Sequence, residues 1–298
     1  MKMSAISLLE WQQRFGVEDS CAEALAKIRW PDGFMCPICG TTKAYYIKAR
    51  KVYQCSHCRH QASITADTMF HSTNLSLVKW FWAIYLAASD KGGISALRLQ
   101  KQIKVSWPTA RNMLRKIRIA MGHRNSLGRL ENIIEFDDTV VGGKRTGKRG
   151  RGAAGKRPVL VAVETRGEHA GLVAMKAVNT VSKETVREIL RCHVKDGQSV
   201  RTDALPALNV VKETQQHEKR VTPPAEASKW LPMVHIMISN MKIFVNGTFH
   251  GVSFEYLQEY LDEFCYRFNR RFWEPELPLR LLNACLAHAP VRLAENCL

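Results

Sequence analysis

The chain has 298 residues and carries 44 Lys plus Arg against 27 Asp plus Glu, a formal net charge of +17. That length suits two or three domains, and the excess of cations points to phosphate-rich partners, above all nucleic acid. No stretch reaches the ~18 unbroken apolar residues of a membrane span, and Met1-Lys2-Met3-Ser4 does not open the apolar core of a signal peptide. Cys21, Cys192, Cys265, Cys285 and Cys297 are odd in number and scattered. They suggest a reducing compartment and structural thiols, hence a cytoplasmic protein facing DNA.

Residues 5–29 hold apolar positions at helical intervals (Leu8, Leu9, Phe15, Leu25, Ile28). They lead into Cys36-Pro-Ile-Cys39 and Cys55-Ser-His-Cys58, two C-x-x-C pairs with fifteen residues between them. Each pair sets two thiolates on one tight knuckle, and this spacing predicts a zinc ribbon over 30–68. Four thiolates close the coordination shell, so that metal is structural, and His57 and His60 stand outside it.

Leu75 to Ala88 is apolar on most faces and predicts the core helix of a small helical domain. Residues 92–103 and 107–121 then read as helix, short turn, helix, with Ser106 as N-cap and Pro108 in the first turn. Ala110, Met113, Leu114 and Ile117 line one side of the second helix. Arg111 and Arg115 lie elsewhere around it and are candidates for DNA contact in a helix-turn-helix.

Beyond Gly128 the pattern turns to strands at 133–138, 158–164 and 171–178, then a helix at 182–192 and a strand at 199–203. Three meandering strands, a crossover helix and a fourth strand predict a mixed sheet in which the first and fourth strands are neighbours. Asp137 and Asp203 would then meet although 65 residues lie between them. Paired carboxylates suit a hard divalent ion and phosphoryl transfer. The segment 142–157 holds seven basic residues, six glycines and no acid. Its Lys144, Arg145, Lys148, Arg149 and Arg151 are suited to gripping a DNA backbone. A last helix is predicted over 253–272; its aromatics read as core, and Arg267, Arg270 and Arg271 as candidates for DNA contact.

Several of these stretches together resemble the zinc-ribbon insertion-sequence transposases of the DDE superfamily. The resemblance rests on Trp30-Pro-Asp-Gly-Phe34, Phe136-Asp-Asp-Thr-Val-Val-Gly-Gly143, Thr202-Asp203 and Ser239-Asn-Met-Lys242. It rests also on Gly247-Thr-Phe-His-Gly251, Tyr260-Leu-Asp-Glu-Phe264 and Arg267-Phe-Asn-Arg-Arg271. It implies a multidomain α+β and α/β chain: helix and zinc ribbon over 1–70, helix-turn-helix over 71–126, and a ribonuclease-H-like mixed-sheet catalytic domain over 127–298. The implied activity is cleavage and strand transfer at transposon ends, with Mg2+ or Mn2+ held by Asp137 and Asp203. Partners would be double-stranded DNA, both transposon end and target, and further copies of the chain. The setting implied is a bacterial cytoplasm, close to the nucleoid.

For the third metal-binding position the resemblance offers Asn240 first and His235 as alternative, since 234–242 contains no acid. Lys242 would neutralise a phosphate, and Glu263 is a reserve carboxylate. Ala204 and Leu208 stand where the family often has glycine and an aromatic. A DNA-binding regulator using only ribbon and helix-turn-helix is the rival reading, as is an inactive copy that keeps the fold.

Overall fold

The computed structural model describes residues 5–142, 156–223 and 226–291. They fall into two compact units, one built from residues up to Ala120 together with those from Trp273 onward, the other from Met121–Phe272.

In the first unit the single helical region expected at the start is two helices, α1 (Leu8–Phe15) and α2 (Glu18–Arg29). Ser7 and Glu10 close a reciprocal capping box on α1. Three short antiparallel strands follow, β1 (Ala44–Ile47), β2 (Val52–Cys55) and β3 (Gln61–Ser63), in the order β1-β2-β3. Then come α3 (Leu77–Ser89), α4 (Ala96–Ile103) and the start of α5 (Trp107–Ser126). Helix α3 is buried on most of its surface, as its sequence predicts; its Phe81 ring packs at a tilt against Trp11 and Phe15, and its Tyr85 ring against Trp11. Lys104 takes a left-handed conformation at the end of α4, and Ser106 Oγ accepts the Thr109 N–H to open α5. Helix-turn-helix geometry therefore follows from one left-handed residue and one serine cap.

The second unit is a five-stranded sheet with helices on both faces. Its strands are β4 (Ile133–Val141), β5 (Arg157–Arg166), β6 (His169–Ala177), β7 (Ser199–Thr202) and β8 (Gln216–Lys219), ordered β6-β5-β4-β7-β8. Strands β4, β5 and β6 form the antiparallel meander, and β7 and β8 add in parallel beside β4. The crossover into β7 runs through α6 (Lys183–His193), opened by Ser182 as predicted. Strand β8 was not expected. It is short, polar and at the sheet edge, so alternation leaves little trace of it.

Side-chain alternation along β4 assigns the two faces. Ile134 and Phe136 point into a cluster with Leu160, Ala162, Val200, Ile189 and Leu190 on the α6 side. Val141 joins Val159, Val161, Val163 and Met175 on the other side, against α8 (Pro232–Phe249) and α9 (Leu257–Asn269). Between β8 and α8 lies the short α7 (Ala227–Trp230), and α10 (Leu277–Ala287) packs on α2 and α3 in the first unit. An antiparallel three-strand start, a helical crossover and parallel additions give the ribonuclease-H-like arrangement.

Candidate active site and metal centre

The metal centre is built by two matching knuckles. In the first, the Cys36 N–H bonds the Thr41 carbonyl and the Gly40 N–H returns to the Cys36 carbonyl. In the second, the Cys55 N–H bonds the His60 carbonyl. Gly40 and Arg59, each four residues beyond its knuckle's first cysteine, both turn left-handed at φ 71° and 61°. Cys36 Sγ lies 3.5 Å from Cys58 Sγ, and Cys39 Sγ 3.6 Å from Cys55 Sγ. All four sulfurs lie within 4.8 Å of one another. A tetrahedron with Zn–S bonds of about 2.3 Å has edges near 3.8 Å, so these thiols fit zinc as they stand. Trp30, Phe34 and Tyr53 pack together beside them.

The acidic pair is set by strand register. Phe136 pairs with Thr202 in the parallel β4–β7 ladder. Asp137 and Asp203 each follow that last pair by one residue, and strands paired in this way run about 5 Å apart. Alternation along β4 puts Asp137 on the α8 face, opposite Ile134 and Phe136, and Asp203 directly follows Thr202 at the end of β7. Both aspartates are half-buried. Asp137 Oδ1 accepts the Asp138 N–H at 2.8 Å, and Asp203 Oδ1 accepts the Leu205 N–H at 3.1 Å. Among the described residues the four thiols are the one group of three or more such ligands gathered this tightly. Two carboxylates suit a magnesium-like ion, which takes oxygen ligands and keeps several waters.

Helix α8 brings the remaining candidates, and helical geometry separates them. Its buried stripe is Val234, Met237, Ile238, Met241, Phe244 and Val245. At about 100° per residue, His235 and Lys242 lie about 20° apart on one flank of that stripe. Asn240 lies about 140° around the helix from His235, on the flank shared with Phe244, whose ring meets Phe264 of α9. Asn240 is exposed, whereas His235 and Lys242 are half-buried. Burial lowers the pKa of His235 and favours its neutral imidazole. Burial, aided by nearby Lys156, lowers that of Lys242.

Other sequence candidates are taken up locally. Glu263 is 2 % exposed and receives both Nε and Nη2 of Arg267, the shorter bond at 2.8 Å. Arg270 donates to Asn125 Oδ1 and lies over Tyr266; Arg271 donates to the Gly171, Phe268 and Ala170 carbonyls. These three arginines thus serve the packing around α9, bonded to a carboxylate, an amide oxygen and backbone carbonyls and lying over aromatic rings. Arg115 is buried at 5 % exposure, whereas Arg111 is half-buried over the exposed Trp107 ring. Charge pattern alone could not separate the two. Lys144, Arg145, Lys148, Arg149 and Arg151 lie outside the described residues.

Sequence reasoning missed Glu135. It is 2 % exposed on β4, and its carboxylate accepts the Val234 N–H at 2.8 Å and the Met233 N–H. Burial raises its pKa against the opposing pull of those bonds. A lone acid in the run Ile133-Ile134-Glu135-Phe136 was the available signal.

The sequence matches the transposase zinc-ribbon domain over residues 16–61 and the ISXO2-like transposase domain over 129–269. It is 27% identical over 218 residues to a Halobacterium salinarum protein described as an uncharacterized protein in transposable element ISH50. That match spans 67% of this chain and 71% of the relative. Among solved structures, the Mos1 strand transfer complex aligns over 73% of this chain and 78% of its own, with 12% identity and a TM-score of 0.29. A pre-cleavage Mos1 transpososome aligns over 72% and 78%, with 12% identity and a TM-score of 0.28. Those scores are too low to bear on the fold. The two family matches fall in order on the thiol knuckles and on the five-stranded sheet, and the chain belongs to the zinc-ribbon insertion-sequence transposases.

Proposed function

We propose that this transposase cleaves and joins DNA strands at transposon ends, and that Asp137, Asp203 and His235 hold the divalent ion for that phosphoryl transfer. The observation that carries the reading is the parallel register of β4 and β7, in which Phe136 pairs with Thr202 directly before the two aspartates. When bound, Mg2+ or Mn2+ would stabilise charge developing on the phosphoryl oxygens. Asp137 and Asp203 would supply hard oxygen ligands, and an ion of this kind keeps several waters, one of which a DNA oxygen can replace. His235 is favoured over Asn240 as the third group because it shares a helix flank with Lys242 and is held neutral by burial. Lys242 and Lys156 neutralise the phosphate being turned over, and the basic segment 144–151 holds the neighbouring backbone. Double-stranded DNA is the partner, and end pairing would call for more than one copy of the chain. We keep the three-part organisation of ribbon, helix-turn-helix and catalytic sheet as the working division of labour.

The test is strand cleavage of element-end DNA with Mg2+ by the native chain, Asp137→Asn and Asp203→Asn. Both variants are expected to lose at least about 10³-fold in rate, roughly 4 kcal/mol, while binding the same DNA. Equal cleavage by all three proteins would remove the catalytic assignment and leave a DNA-binding protein.

A further inference from the structure

We propose that Glu135 and Trp230 are positioning residues, which fasten the start of α8 to the two strands carrying Asp137 and Asp203 and so fix where His235 and Lys242 stand. The inference rests on the metal-site reading above and adds to it two residues that do not touch the reacting atoms.

Helix α8 opens without a cap of its own. Leu231 occupies the N-cap with no side-chain hydrogen bond, and Pro232 takes the first turn. The N–H groups of Met233 and Val234 would be left unsatisfied in a buried setting. Glu135 supplies both missing acceptors from β4, 99 residues away from Val234 in sequence. A carboxylate at a helix N-terminus also meets the positive end of the helix dipole. Glu135 lies two residues before Asp137 on the same face of the sheet, and Val234 immediately precedes His235. The tie between acid strand and helix is therefore as short as the chain allows.

A second tie reaches the other acid. Trp230, at the end of α7 and just ahead of α8, donates its Nε1–H to the Thr202 carbonyl at 3.0 Å. Thr202 directly precedes Asp203, and its carbonyl also accepts the Arg220 N–H at 3.2 Å. The guanidinium groups of Arg201 and Arg220 lie 5.7 and 5.8 Å from the Trp230 ring, holding it on that strand end. One helix entry is thus bonded to β4 beside the first acid and to β7 beside the second. A helix with only its apolar stripe to seat it could slide or rotate slightly on the sheet, and two directional bonds at its first turn remove that freedom.

The test uses the full chain with Glu135→Ala, Glu135→Gln and Trp230→Phe, and Asp137→Asn as reference. Cleavage of end DNA is followed across a Mg2+ titration, with thermal melting and DNA binding measured alongside. Misplacing a ligand-bearing helix should raise the Mg2+ midpoint of Glu135→Ala by about tenfold or more, in the range seen for outer partners of metal ligands. Trp230→Phe keeps an aromatic ring, though a smaller one, and loses the N–H, so a smaller rise of about threefold is expected on the same reasoning. Glu135→Gln retains one acceptor and should fall between Glu135→Ala and the native chain. A purely structural role would lower the active fraction without moving the midpoint. Should Glu135→Ala fail to fold, Trp230→Phe and Glu135→Gln decide. Native midpoints in the folded variants, with Asp137→Asn inactive, would overturn this inference alone. Cleavage by Asp137→Asn would overturn the site reading beneath it.

Discussion

The identity of the third metal-binding group can be settled by a series on α8. His235 and Lys242 are seven residues apart, about 10 Å along the axis and about 20° around it, so both face the same side. Asn240 is exposed and about 140° away from His235. His235→Ala should therefore cut Mg2+-dependent strand cleavage by about 10²–10³-fold, roughly 3–4 kcal/mol of transition-state stabilisation. Lys242→Ala should lose about 10²-fold through the missing positive charge. Asn240→Ala should stay within about twofold, as exposed substitutions away from a site do. A carboxylate is the better ligand for a hard ion, so His235→Glu should keep activity. The assay is single-turnover cleavage of a labelled end duplex, with binding followed by gel shift and folding by thermal melting. Loss of cleavage in Asn240→Ala with retention in His235→Ala would refute the helix-flank reasoning.

Removing zinc should unfold the ribbon, since metal binding supplies about 10–16 kcal/mol in such sites; Trp30, packed on Phe34 and Tyr53, should report it by fluorescence, and unchanged emission after verified metal loss would contradict it. Glu18 accepts the Leu77 and Val78 N–H groups at 2.9 and 3.2 Å and pairs with Lys51 at 2.8 Å, so Glu18→Ala should cost about 1–2 kcal/mol in chemical denaturation. Burial alone would raise the Glu18 pKa, but these partners together hold it low. Its contribution should be present above the ordinary glutamate range and fade as pH falls through the lowered value, a dependence that Glu18→Gln should abolish. Asp262 runs the opposite way: burial lifts its carboxyl to about 7, against the Gln258 hydrogen bond and the charge of Lys176. Stability should be greatest below the ordinary aspartate range and fall as pH rises through about 7. Melting temperatures of native protein and Asp262→Asn across pH 5–8, flanking that value by about a unit or two, should therefore converge at the acid end; parallel curves would contradict the assignment.

Much of the frame could be read from residue order. The zinc knuckles, the helix-turn-helix and the meander-plus-crossover sheet each follow from spacing, a cap or a change of period that a short window contains. That the strand of Asp137 and the strand leading to Asp203 are neighbours needed only the topology. What remained hidden was of a different kind. Helix α8 is apolar around much of its girth, so its periodicity does not announce which flank looks at the acids. The stretch 234–242 could therefore be matched residue by residue to a family pattern while its orientation stayed open. The arginines of α9 and Arg115 carry the same charge as any DNA-facing cation, and only their burial and partners tell them apart.

The same limit explains the two capping glutamates. A cap within the local sequence, such as Ser7, Ser76, Ser95 or Ser182, is visible because the acceptor precedes its helix by one residue. Glu18 caps α3 from 59 and 60 residues away, as a supplement to Ser76, and Glu135 caps α8 from 99. Such an acceptor can be identified only once the tertiary fold has brought strand and helix together. A long-range cap does more than satisfy two amide groups, because it ties two elements at a defined point and a short distance. In the first unit that tie, through Lys51, also reaches the zinc-ribbon sheet. In the second it joins the strand of Asp137 to the helix of His235. The hydrophobic stripe of α8 decides that the helix packs on the sheet, and the buried carboxylate decides the place along the strand where it begins.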